Sequence, residues 1–101
     1  MTTWFVSRHP GALEWAARKG LHIDRFATHL GSAEVQRGDT VIGSLPVNLA
    51  AVVCQRGARY LNLSVVVPAE LRGKELSADQ LEKLGARLEE YRATAVGSKD
   101  T

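Results

Sequence analysis

Five consecutive residues, Ser7-Arg8-His9-Pro10-Gly11, set a hydroxyl, a permanent cation and an imidazole just before a helix-forming run. A helix N-terminus offers unpaired N–H groups and the positive end of a dipole. Arg8 adds a guanidinium able to grip a phosphate with two parallel hydrogen bonds. His9 adds a group that can give or take a proton near neutral pH. The implied chemistry is anion binding with proton transfer; the competing reading is a solvated turn bearing a surface arginine and histidine. A second cluster is Gly43-Ser44-Leu45-Pro46-Val47-Asn48. Gly43 would let a ligand approach the backbone, while Ser44 and Asn48 supply neutral hydrogen-bonding groups for a base, ribose or phosphate. Alternatively Ser44 only caps the next helix and Asn48 is an ordinary first-turn residue. The cluster is neither a Walker sequence nor GxGxxG. Arg72 and Lys74 flank Gly73 in a charged loop, which either closes over an anion or is a solvated charge cluster.

Other reactive residue types fall into no recognised pattern. His22 and His29 are separated by seven positions with Asp24 between them, which matches no zinc-binding spacing. They read as ordinary surface or edge residues, and no metal site is expected. Cys54 lies in an apolar run, where a buried, inert thiol is the expectation. A single cysteine excludes an internal disulfide framework and a multi-cysteine zinc site. No GxSxG elbow marks a hydrolase triad, and no cofactor is implied.

The elements that must position these residues read as follows. Trp4 to Ser7 form a short strand. Pro10 suits the first turn of a helix that continues through Ala12–Lys19 and stops at Gly20. The first half of residues 21–30 reads as a short strand, and residues 31–39 as a polar connection. Thr40–Ser44 is a strand, and Pro46 opens an almost wholly apolar helix that reaches Gly57. Arg59–Val67 is the longest β-rich run, continuously apolar at its end as buried parallel strands are. Ser77 and Gln80 make a capping box for a last helix with a buried stripe of Leu81, Leu84, Leu88 and Tyr91. Asp79 and Lys83 support it as an i,i+4 pair. Residues 1–93 form one domain and 94–101 a frayed tail. Alternation of strands and helices predicts an α/β fold: a small, Rossmann-like, mostly parallel sheet of about four strands with helices on both faces. Ligands of such sheets lie outside the carboxyl ends of the strands, where all three basic or polar clusters converge.

The chain of 101 residues is sized for one small domain, so any cleft is shallow or is completed by a second copy. Thirteen basic against eleven acidic residues is too even for a general nucleic-acid coat, but it permits a local patch for a small anion. The N-terminal residues do not read as a signal peptide, and no run has the length of a membrane span. The expectation is a soluble cytoplasmic protein.

The phrases FVSRHPGALEWA, GDTVIGSLPVNLAAVVCQRGARYLNLSVVVP and RGKELSADQL, in that order, resemble a short CRISPR-associated protein family found beside type III systems. The likeness extends from residue 4 to about residue 82, and GDTVIGSLPVNLA followed by CQRGARY is its most specific part. The resemblance implies a stand-alone ring nuclease with a Rossmann-like fold that degrades cyclic oligoadenylate messengers, cyclic tetra-adenylate first among them. It further implies a homodimer holding the ring across its two-fold axis, and cleavage without metal. Arg8 would then meet phosphate charge and His9 would transfer a proton or position the substrate. Ser7, Gly11, Gly43, Ser44, Leu45, Pro46, Asn48, Arg72 and Lys74 would bind the ligand. A binding module that only senses or sequesters the messenger, and a scaffold of the interference machinery, are the alternatives. The 101 residues hold no second DNA-binding or nuclease domain for a sensor to switch, which favours the enzyme.

Overall fold

A computed structural model describes residues 1–31 and 34–97. Five strands form one sheet in the order β2-β1-β3-β4-β5. These are β1 (Thr3–Val6), β2 (Arg25–Ala27), β3 (Thr40–Gly43), β4 (Arg59–Ser64) and β5 (Arg87–Tyr91). The first four run parallel, and β5 pairs antiparallel with β4. Helix α1 (Pro10–Arg18) follows β1, α2 (Val47–Gln55) follows β3, and α3 (Ala78–Lys83) precedes β5. The result is a small Rossmann-like α/β fold, with one strand more than the sequence suggested. Among the described residues no helix is long and apolar enough to cross a membrane.

Side chains alternate across a strand, so each strand feeds two cores. Phe5, Ile42 and Leu63 face α1 and α3, whose Ala12, Trp15, Ala16, Ala78 and Leu81 close that layer. Trp4, Val6, Val41 and Tyr60 face α2, which contributes Ala50 and Val53. One helix cannot cover that face of the sheet. Val35 fills part of the remainder and is almost wholly buried, although its segment reads as polar. Full burial of a side chain such as Phe5, Val41 or Val53 contributes about 1.5–3 kcal/mol.

The last helix ends much earlier than its apolar spacing predicts. The Ser77–Gln80 capping box is present, with both reciprocal hydrogen bonds made. After Lys83 the chain turns at Gly85, at φ +76°. Gly85 N–H donates to Glu82 O and Ala86 N–H to Leu81 O, a Schellman cap. The same cap ends α1 at Gly20 and α2 at Gly57. Leu88 and Tyr91 therefore belong to β5, whose pairing covers the otherwise open edge of β4. Asp79 pairs with Arg18 of α1, joining the two helices. Residues 32 and 33 of the expected connection, and 98–101 of the expected tail, lie outside the described residues.

At the amino ends of the strands, two carboxylates clasp the start of β1. Asp39, 5% exposed, accepts from Thr2 N–H (2.9 Å), Gln36 N–H (3.0 Å) and the Trp4 indole N–H (3.2 Å). Burial pushes its pKa up, but these three donors outweigh burial and hold it below the ordinary carboxylate value. Asp24 accepts from Thr3 N–H at 2.8 Å, which lowers its pKa too.

Candidate functional site

The strand order sets the site. From β1 the chain crosses to β2 on one side; from β3 it crosses to β4 on the other. The adjacent strands β1 and β3 thus send their connections apart, leaving a crevice outside their carboxyl ends. A cleft of about 660 Å³ opens there, within the range of about 300–1,000 Å³ common to ligand sites. Its floor is aliphatic, with Leu45, Leu49, Leu63, Val65, Leu71 and Leu76. Its ionisable lining is Arg8, His9, His29, Arg72 and Lys74, with no carboxylate among them. Among the described residues, Arg8, Arg72 and Lys74 make no ion pair, whereas Arg18, Lys19, Arg59 and Arg87 do.

Each wall is held by local hydrogen bonds. Ser7 N–H donates to Ala27 O (2.9 Å), carrying the β1–β2 ladder one step further. Ser7 Oγ accepts from His9 N–H (3.1 Å), which fixes the turn into α1. Pro10 begins α1, and no side chain caps that helix. Across the cleft, Ser44 Oγ donates to Leu63 O (2.9 Å), tying the β3–α2 turn to the end of β4. Pro46 is the N-cap of α2, which also has no side-chain cap. Ser44 is therefore a brace rather than a cap. Both helix starts at the cleft are open, in contrast to the fully capped α3.

A buried tyrosine holds the second wall. Tyr60 is 3% exposed. Its hydroxyl accepts from Leu45 N–H (2.8 Å) and lies within donating distance of Gly43 O (3.1 Å) and of the Asn62 side chain. Asn62 Nδ2 donates in turn to Ser64 Oγ (2.8 Å). Burial raises the Tyr60 pKa, so the hydroxyl stays a neutral donor and acceptor under the turn.

Ser7, Arg8, His9, Gly43, Ser44, Leu45, Pro46, Arg72 and Lys74 all line the cleft. Gly11 and Asn48 are placed differently. A Cβ at Gly11 would lie 1.9 Å from Leu76 O, so that glycine permits α1 to pack on the chain entering α3. Asn48 sits one helical step past Val47, turned away from the cleft toward a groove between α2 and β5, while Leu49 faces the cleft. Gly43 also serves packing: a Cβ there would lie 2.6 Å from Val6 O. Arg72 Nε reaches back to Val67 O at 3.5 Å. Cys54 is half-buried rather than buried, with its sulfur near Tyr91 O and Ala93 N–H.

Three contributors were not legible as site residues. Tyr60 acts through its hydroxyl from the middle of a strand. Thr28 and His29 follow β2, which ends at Ala27. A strand boundary there would have put His29 at a carboxyl end, as Arg8 and His9 are after β1. Among the described residues, no three His, Cys, Asp or Glu side chains gather as metal ligands.

Residues 4–94, 91 of the 101, match the family described as "Putative CRISPR-associated protein (Cas_VVA1548)". No curated protein and no solved structure matches the chain.

Proposed function

The chain belongs to this CRISPR-associated family, and on that premise we propose that it binds and cleaves a cyclic oligoadenylate, cyclic tetra-adenylate foremost, to switch off type III signalling. One observation carries the reading: a cleft at the switch point whose charged lining is entirely basic, over an aliphatic floor. Phosphates suit the rim, where Arg8, Arg72, Lys74 and two open helix starts supply donors. Adenine faces suit the floor. The cleft volume accommodates part of a ring, so two copies across a two-fold axis would hold a two-fold symmetric ligand in equivalent half-sites. The outer face of α2 is the surface proposed for that contact, with Val47 77% exposed directly beside the cleft wall.

Cleavage is proposed as attack of a ribose 2′-oxygen on the adjacent phosphorus. The 2′-O–P bond forms, the P–O5′ bond breaks, and the products carry a 2′,3′-cyclic phosphate and a 5′-hydroxyl. Arg8 meets the charge that builds on the phosphoryl oxygens, the main electrostatic contribution. His9 transfers a proton. The cleft walls supply the in-line pose. The test is incubation of the purified protein with cyclic tetra-adenylate and EDTA, with products resolved by chromatography. Linear products in EDTA are expected. Intact ligand after long incubation at excess protein would overturn the enzyme; tight stoichiometric binding of that ligand would leave a sequestering module.

A further inference from the structure

We infer that His29 is a second catalytic residue of this cleft, acting with His9 as an acid–base pair. The inference rests on the reading of the cleft as a phosphodiester-cleaving site and adds to it a residue and a division of labour. Strands β1 and β2 pair in parallel with Val6 opposite Ala27, and the Ser7 N–H to Ala27 O bond keeps the two chains together one step beyond. Beyond that bond both chains bend, at Arg8 and at Thr28-His29, and both turns open onto the same cleft. Both histidines line the cleft, and both are exposed. The third histidine, His22, is outside it, with its ring 3.1 Å from Asp24 Oδ1.

The cleavage needs two proton transfers at different atoms. One group removes the proton of the attacking 2′-hydroxyl; another protonates the leaving 5′-oxygen. No water is consumed, and the proton count balances when one imidazole starts neutral and the other protonated. The cleft holds no carboxylate to take either role. Arg8, Arg72 and Lys74 are the other charged groups facing the pair. Arginine cannot act as a base, and a lysine ammonium is a poor proton source or sink near neutral pH. Two imidazoles are the side chains of this lining suited to both transfers.

The experiment compares wild type with His9→Ala, His29→Ala and His22→Ala in single-turnover cleavage of cyclic tetra-adenylate across pH, with affinity measured by calorimetry. The pair predicts a bell-shaped wild-type profile. Each cleft variant should lose about 100-fold or more in rate, with one limb of the bell gone and affinity changed only a few-fold. His22→Ala should match wild type. A substrate with sulfur at one 5′-bridging position, a leaving group that needs no proton, should restore one of the two variants and not the other. A wild-type rate for His29→Ala, or a loss confined to affinity, would overturn the inference while leaving the nuclease standing. No cleavage by wild type would instead overturn the nuclease. In that case proton NMR with adenosine 3′-monophosphate still decides whether the cleft is shared: the ring signals of His9 and His29 should move together and that of His22 stay fixed. A still His29 signal would end its assignment to the site.

Discussion

The two ends of the sheet handle charge in opposite ways. At the amino ends, Asp39 and Asp24 are charged and engaged: Asp39 accepts from the Thr2 and Gln36 N–H groups, and Asp24 from the Thr3 N–H. At the carboxyl ends, Arg8, Arg72 and Lys74 gather around a cleft without ion-pair partners among the described residues. A buried carboxylate with three donors pins one arrangement of the chain, because releasing any donor strands it away from water. Exposed cations near one another repel, and an anion entering between them relieves that repulsion. One end is built to hold its shape; the other has capacity left for a partner.

The sharpest way to break this comparison is Arg8→Ala. Cleavage is expected to fall about 10²–10³-fold, with unfolding free energy within about 0.5 kcal/mol of wild type. A large stability loss in urea unfolding would show that Arg8 serves the fold instead. Asp39→Ala should do the reverse. It should cost about 2–4 kcal/mol of stability by stranding three donors, with ligand affinity per folded molecule unchanged by calorimetry.

Acid should expose the same clasp. The Asp39 pKa is lowered on folding, so its contribution is complete above the unfolded carboxylate value, near 3.9. It is lost as pH falls through the depressed folded value. Asp39→Asn should therefore be less stable than wild type at neutral pH, and the gap should narrow in acid, as followed by thermal unfolding. A constant gap would contradict the assignment.

Tyr60→Phe tests the join between fold and site. It leaves Leu45 N–H without its acceptor and should cost about 1–2 kcal/mol, with some loss of affinity as the cleft wall loosens. An effect on stability alone would mean that the wall keeps its position without the hydroxyl. The smallest effect is expected from Arg72→Ala with Lys74→Ala. Affinity should weaken about tenfold and depend less steeply on salt, since two phosphate-directed charges are gone. An unchanged salt dependence would return those residues to the solvated loop.

Much of the fold was legible because its signals are local. Pro10 and Pro46 mark helix starts, Gly20 and Gly57 mark stops, and the Ser77–Gln80 box is satisfied as its spacing requires. The exception at β5 is instructive. Leu81, Leu84, Leu88 and Tyr91 have helical spacing, yet Gly85 ends the helix with the same cap as Gly20 and Gly57. Apolar periodicity points to a helix that runs on past that glycine; in the structure, the segment pairs with the open edge of β4 instead. Val35 shows a similar limit, since one apolar residue in a polar stretch carries no period and is placed only by the gap beside α2.

By itself the sequence determined the alternation of strands and helices, hence a mostly parallel sheet, and therefore the end at which Ser7-Arg8-His9 and Gly43-Ser44-Leu45-Pro46 must meet. These follow from the order of strand-like and helix-like runs, which local periodicity makes readable along the chain. Only the tertiary structure decided which of those side chains face the cleft. Helical rotation turned Asn48 out and Leu49 in, and the turn that follows β2 brought in His29. Burial then assigned Gly11 and Gly43 to close packing and Tyr60 to bracing the wall. Such choices depend on which surfaces meet, and residue type and spacing along one chain do not carry that information.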